Sequence, residues 1–260
     1  MRKNMLEKVM SKKITFSNAQ DISLSARLDT PETPKAYALF AHCFTCNKDL
    51  SAVNRISKTL VEHDIALFRF DFTGLGNSCG DFSNSNFSSN IDDLVSAAHY
   101  MEQHYKAPRI LIGHSLGGAA VLSATHCIPT VEAVVTIGAP ATAQHVKHNF
   151  THEIEEIERK GEANVTLAGR EFTIKKQFLE DISRHPMVER IKQLNAALLV
   201  MHSPTDDTVS LDNARMIYDI AKHPKSFISL DDADHLLMKH PKDAIYVAKI
   251  IAAWVDRYIQ

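Results

Sequence analysis

Arg109-Ile110-Leu111-Ile112-Gly113-His114-Ser115-Leu116-Gly117-Gly118-Ala119-Ala120 is the stretch that decides the architecture. Apolar residues lead into Gly-x-Ser-x-Gly, and small apolar residues lead out. The pattern describes a short buried strand that stops, turns sharply and becomes a helix. A serine at such a turn sits in a strained backbone conformation with its hydroxyl exposed. Gly113 and Gly117 flank it, because a Cβ at either place would strike the neighbouring strand or helix. The first free N–H groups of that helix point at whatever the serine attacks, and their field favours a developing anion.

Outward from this turn, apolar runs and helical spacing alternate. Residues 13–18 and 22–29 alternate apolar and polar, which predicts an antiparallel hairpin at a sheet edge. Residues 36–43 are nearly all apolar, as a strand buried on both faces should be. Helical spacing follows over 50–63, a strand over 65–70, and a glycine-rich turn at Asp71–Ser78. A helix over 89–104 precedes the serine strand, and Val131–Ile137 is the next strand, ending at Gly138-Ala139-Pro140. This alternation predicts an α/β fold, a mostly parallel central sheet with helices on both faces. Ligands on such sheets sit beyond the carboxyl ends of the strands. The alternation resumes with a strand at 196–201, a helix at 211–222, a strand at 226–230 and a terminal helix at 242–258. Between them, residues 143–195 are charged and poor in long apolar runs, with a helix-like stretch at 152–160 and a hairpin turning at Ala168-Gly169-Arg170. The reading is a core of residues 1–142 and 196–260, with 143–195 inserted as a short lid over the strand ends. A surface excursion with no gating role is the alternative.

Composition excludes other classes. The chain has 260 residues, 45% hydrophobic, with a formal charge of −2. It offers no basic field for nucleic acid or an anionic membrane. No apolar run of about eighteen residues exists, so no spanning helix is expected. The N-terminal stretch 1–8 lacks the apolar core of a signal peptide. Four cysteines, at 43, 46, 79 and 127, are too few in a chain this long for a disulfide framework. A cytoplasmic protein with reduced thiols is expected. No cofactor is implied. Zinc is not expected either, since there is no second cysteine pair at ligand spacing.

A serine hydroxyl is a poor nucleophile at neutral pH. It needs a base within hydrogen-bond reach and a carboxylate to fix the tautomer of that base. Of fourteen histidines, His235 directly follows the last strand and fits best. His42 and His202 also fall at strand ends and are its rivals. For the carboxylate, the turn after residue 201 offers Asp206, with Asp207 as fallback; the Gly138-Ala139-Pro140-Ala141 exit contains no acid. Asp71 and Arg69 are read as fixing their glycine turn through hydrogen bonds.

The order Ser115, Asp206, His235 at these strand ends resembles the α/β-hydrolase family, and nearly all of the chain outside 143–195 takes part. It looks closest to bacterial esterases and serine-aminopeptidase-like hydrolases with a short lid. The Ala41–Cys46 stretch, the Asp71–Asp81 turn and Gly161 through Lys176 are similar to a subgroup often fused to an OsmC-like domain; with the sequence ending at 260, that second domain is not expected here. The resemblance implies a nucleophile Ser115, a base His235, an orienting Asp206, and an oxyanion hole from the Phe44 and Leu116 N–H groups. The family's usual glycine after the histidine is Cys43 in this chain, a departure that narrows the backbone choices there. Cys43-Phe44-Thr45-Cys46 can be read as a redox pair whose disulfide would displace the Phe44 N–H and silence the site. The simpler reading is two small side chains packed beside it.

The implied function is a serine hydrolase that cleaves a small carboxylic ester through an acyl-enzyme. A peptidase or amidase of the same fold is the second reading, and a non-catalytic, partner-binding scaffold the third. The expected partner is a small-molecule acyl substrate, with no nucleic acid or membrane; homo-oligomerisation is left open. Lys175 and Lys176 are read as a solvated face, with contact to an anionic substrate group as the alternative.

Overall fold

The computed structural model describes residues 10–167 and 169–259. Strands β1 (Met10–Ser17) and β2 (Ser23–Thr30) form the expected hairpin. Then come β3 (Ala36–Ala41), α1 (Ser51–Val61), β4 (Ile65–Phe70), α2 (Phe87–His104), β5 (Ile110–His114), α3 (Leu116–Ala124) and β6 (Ala133–Ile137). After an excursion, β9 (Ala197–His202), α7 (Leu211–Ile220), β10 (Lys225–Ser229) and α8 (Pro241–Val255) complete the core. The eight-stranded sheet runs β1-β2-β4-β3-β5-β6-β9-β10. Within this sheet, among the described residues, only the β1–β2 and β2–β4 pairs are antiparallel.

Strand alternation sorts the core onto two faces. Leu39, Leu111, Val134 and Leu198 point to the side covered by α2 and α3. Their chain neighbours Phe40, Ile112, Val135 and Leu199 point to the side covered by α1 and α8. A period of two with both faces apolar is what a sheet between two helical layers requires. Chain order reverses at β3, which pairs with β4 on one side and β5 on the other. At such a switch point the loops leaving the two strands diverge and open a crevice. The loop from β3 and the serine turn from β5 form its walls.

The excursion carries α4 (Ile154–Lys160), the hairpin β7 (Glu162–Leu167) with β8 (Arg170–Lys175), α5 (Lys176–Arg184) and α6 (Met187–Lys192). The last two helices were not legible as such in the sequence. Phe178, Leu179 and Ile182 of α5 are buried in the α2–α3 face of the core. Asp181 accepts the Ser88 N–H at 2.8 Å and its hydroxyl at 2.5 Å, anchoring the excursion to the start of α2. Ala168, in the expected hairpin turn, and the N-terminal stretch 1–8 lie outside the described residues. No helix among those described is long and apolar enough to cross a membrane.

Candidate active site

Ser115 stands between β5 and α3 with φ 54° and ψ −124°, a region that costs a non-glycine residue on the order of 1–3 kcal/mol. Its N–H donates to the Ile137 carbonyl at 2.9 Å. The turn closes because its glycines lack side chains. A Cβ on Gly113 would overlap the Gly117 carbonyl, and one on Gly117 would overlap the carbonyl oxygens of Ala41 and His42. The N-terminus of α3 is therefore seated against the exit of β3.

His235 hangs from the loop after β10, and Asp206 from the loop after β9. His235 Nδ1 lies 2.8 Å from Asp206 Oδ2. The Asp206 side chain is only 2% exposed, and its Oδ1 accepts the Thr208 and Val209 N–H groups, each at 2.9 Å. Burial alone would raise its pKa. The hydrogen bond and charge of His235, with the two N–H donors, outweigh that and hold it below the ordinary carboxylate value. Gly138 (φ 56°) makes room for the pair: a Cβ there would sit 3.2 Å from Asp206 Oδ2 and 3.3 Å from His235 Nδ1. His114 Nε2 donates to the His235 carbonyl at 2.7 Å, and the two rings lie 5.1 Å apart. Burial first, and the neighbouring His235 second, push His114 down to about 3. It is a neutral donor that locates the His235 backbone.

Ser115 and His235 line one cavity of about 320 Å³, together with Phe44, Thr166, Leu167 and Leu236. No hydrogen bond joins the Ser115 hydroxyl to the His235 ring among the described residues, a common condition of a site without substrate. The rival histidines are engaged elsewhere. His42 Nδ1 donates to the Cys43 carbonyl at 2.8 Å, and its Nε2 accepts the Phe72 N–H at 3.3 Å. That fixes one neutral tautomer, and burial lowers its pKa. His202 Nε2 donates to the Val209 carbonyl at 2.7 Å and supports the Asp206 loop from beneath. Asp207 is exposed and, among the described residues, meets only the Thr208 hydroxyl, at 3.1 Å. Lys175 reaches Asn84 at 2.6 Å, away from the cavity.

The exit of β3 departs from expectation in its sulfur chemistry. Cys43 and Cys46 form a disulfide, their Cα atoms 5.3 Å apart, well within bridging range. This overturns the expectation of fully reduced thiols; Cys79 and Cys127 are free and exposed. The left-handed residue in this loop is Thr45 (φ 61°), whereas Cys43 has no positive φ. The backbone at 43 therefore does not demand glycine. Phe44 and Leu116 line a narrow cleft with His42 and Gly117, and neither N–H has an acceptor among the described residues. The Phe44 ring packs 5.6 Å from Phe82 and 5.7 Å from Phe178. Arg170 of β8 donates to the Thr45 carbonyl.

Beneath this loop lies a buried ion pair. Lys48 Nζ is 2.6 Å from Asp71 Oδ2, with the side chains 4% and 0% exposed. The Lys48 and Asn77 N–H groups also donate to Asp71, at 2.7 and 2.9 Å. Gly76 lets the turn wrap this carboxylate, since a Cβ would overlap it. Arg69 donates to the Lys48 carbonyl at 2.5 Å and pairs with Asp29 at 2.9 Å. Asp71 thus fixes the glycine turn, as read from the sequence, whereas Arg69 bonds Asp29, Asn54 and the Lys48 carbonyl and no residue of that turn among those described. Asp71→Ala leaves the buried ammonium with only Asp49, at 3.5 Å, as a carboxylate partner among the described residues and should lower the unfolding free energy by about 3 kcal/mol, read as a fall in the urea midpoint.

Sequence reasoning passed over His114, Gly138, Lys48 and Arg170. His114 lies within the serine motif and Gly138 at a strand end, so both carried a positional signal. Lys48 and Arg170 carried none.

A family model described as serine aminopeptidase, S33 (Hydrolase_4) matches residues 32–168. The crystal structure of the esterase domain from a Rhodothermus marinus protein superposes with a TM-score of 0.79 at 44% identity, covering 96% of this chain and 100% of that one. Mouse alpha/beta hydrolase domain-containing protein 10 shares the fold, with a TM-score of 0.78 at 22% identity over 95% of this chain and 99% of that one. The uncharacterized protein YfhR of Salmonella typhimurium is 25% identical over 79% of this chain and 66% of its own length. Human mitochondrial palmitoyl-protein thioesterase ABHD10 is 25% identical over 67% of this chain and 56% of its own length. The chain therefore spans 66% or less of the length of these two curated relatives. Sheet order, the serine turn and the matched family model agree: the chain belongs to the serine aminopeptidase S33 (Hydrolase_4) family and is an α/β-hydrolase enzyme.

Proposed function

We propose that the chain is a serine esterase acting on small carboxylic esters. The observation that carries this reading is the strained Ser115 sharing a cavity with a His235 ring whose far nitrogen is tied to buried Asp206. Ser115 Oγ attacks the acyl carbonyl as His235 Nε2 takes its proton. Asp206 holds the Nδ1 proton and stabilises the imidazolium that forms. The Phe44 and Leu116 N–H groups receive the oxyanion, each such donor contributing about 2.7–4 kcal/mol. His235 then protonates the leaving alcohol and later activates the water that frees the acid.

A cavity of about 320 Å³ lies at the low end of small-molecule pockets, and Phe44, Leu167 and Leu236 give it an apolar wall suited to a short acyl chain. Thr166 and Leu167 come from the excursion, which supports residues 143–195 as a lid that shapes the acyl pocket. The similar Rhodothermus marinus structure is described as an esterase domain, which favours esters. The matched aminopeptidase family model supports amide cleavage as the second reading. A fluorophosphonate probe should label the chain, and p-nitrophenyl esters of two to four acyl carbons should turn over faster than longer esters and aminoacyl anilides. Faster anilides would favour the amidase, and silence in both assays would overturn hydrolysis.

A further inference from the structure

We propose that the Cys43–Cys46 disulfide is a thiol-exchange site in the wall of the acyl pocket, taking small organic thiols as reductant, and that its oxidation state sets the hydrolytic rate. The coupling rests on the esterase reading above; the exchange stands on the disulfide alone.

The position of the bridge is wrong for a fold staple. It joins residues three apart, so it closes a very short loop and removes little freedom from the unfolded chain. It pins no distant element to another. Both cysteines instead line the cavity that holds Ser115 and His235. Cys43 is 4% exposed while Cys46 is half-buried, so Cys46 is the sulfur open to attack. A small thiolate bonds to Cys46 Sγ, the Cys43–Cys46 bond breaks, and its electron pair leaves on Cys43 Sγ, which solvent protonates. A second thiolate attacks the small-thiol sulfur of the mixed disulfide and releases Cys46. The sum is one protein disulfide reduced to two thiols and two small thiols oxidised to one disulfide. The Arg170 guanidinium, seated on the Thr45 carbonyl of the same ring, supplies positive charge that favours the departing thiolate.

The ring encloses the Phe44 N–H. While closed, it holds Thr45 at φ 61°, an outlier conformation for a β-branched residue, together with the Cys46 N–H bond to the Cys43 carbonyl at 3.1 Å and the Arg170 bond to the Thr45 carbonyl. With the ring closed, Phe44 thus lines one cleft with Leu116. Opening the ring removes the covalent restraint and leaves one backbone bond and Arg170 against the strain at Thr45; as Thr45 leaves the left-handed region, the adjoining peptides rotate and the Phe44 N–H disperses. The oxidised enzyme is the fast one.

The test uses the full chain in a Cys79→Ser/Cys127→Ser background, poised with defined ratios of reduced and oxidised glutathione. Thiol state is read by intact mass after iodoacetamide, and catalysis by fluorophosphonate labelling and p-nitrophenyl acetate turnover. Reduction should add two carbamidomethyl groups and lower kcat at least tenfold, and oxidised glutathione should restore it. Cys46→Ser should stay at the low rate whatever the poise. A bridge that excess glutathione leaves unalkylated overturns the exchange. Equal labelling and equal kcat in both states overturn the coupling while leaving the esterase intact. Silence of the probe in both states overturns the esterase reading and the coupling together, and the mass readout then judges the exchange by itself.

Discussion

Ser115→Ala is expected to abolish fluorophosphonate labelling and to lower ester turnover by about 10⁶-fold, the scale seen when a serine nucleophile is removed. The substitution tests chemistry with little structural side effect. Alanine carries the same Cβ, so the left-handed backbone at 115 (φ 54°) is as strained as before. The Ser115 N–H bond to Ile137 and the glycine contacts beneath the turn involve no side-chain oxygen. Melting temperature and circular dichroism should therefore match the parent. Residual catalysis about 10³–10⁴ above water is expected from binding and the oxyanion donors. Persistent labelling would identify another nucleophile and overturn the proposed mechanism.

Asp206→Asn is the second large effect, a fall in kcat of about 10⁴-fold with KM little changed. The reason lies in how the carboxylate divides its two oxygens. Oδ1 accepts the Thr208 and Val209 N–H groups, while Oδ2 faces His235 Nδ1. Asparagine can keep the first pair with its carbonyl oxygen, so the loop stays in place. Its amide N–H then faces His235 and donates to Nδ1. That drives the imidazole proton to Nε2, the nitrogen that must be free to take the serine proton. Asp207→Asn is the matched control, since Asp207 is exposed and outside the pair; its kcat should stay within about twofold, as for surface substitutions generally. A loss below tenfold at Asp206 would remove it from the mechanism.

Much of this was readable in the chain. Apolar runs such as Val131–Ile137 declare strands buried on both faces, and their order set the parallel sheet. Ser115, Asp206 and His235 could be chosen because each falls at a strand end or in the turn just beyond it, and the structure does bring Asp206 to His235. The excursion was harder. Helix α5 presents its apolar residues at 178, 179 and 182 among charges, too short a pattern to declare itself. Arg170 meets Thr45 across 125 residues of sequence, and no local signal announces such a contact. Cysteine number argued for free thiols, while the actual pairing depends on a backbone turn that brings two Cα atoms to 5.3 Å.

The excursion leaves the sheet after β6 and returns through β9, and these two strands are immediate neighbours, Ala133 facing Ala197 and Ile137 facing Met201. Because the two strands are parallel, the excursion leaves at the carboxyl end of β6 and returns at the amino end of β9, so it recrosses the length of both strands. Any segment in place of 143–195 has to make the same crossing and cover the apolar face that Phe178, Leu179 and Ile182 now bury. The excursion is accordingly the crossover of a parallel strand pair, bound into the core through α5, so its helices are as much a part of the hydrophobic layer as α2 and α3.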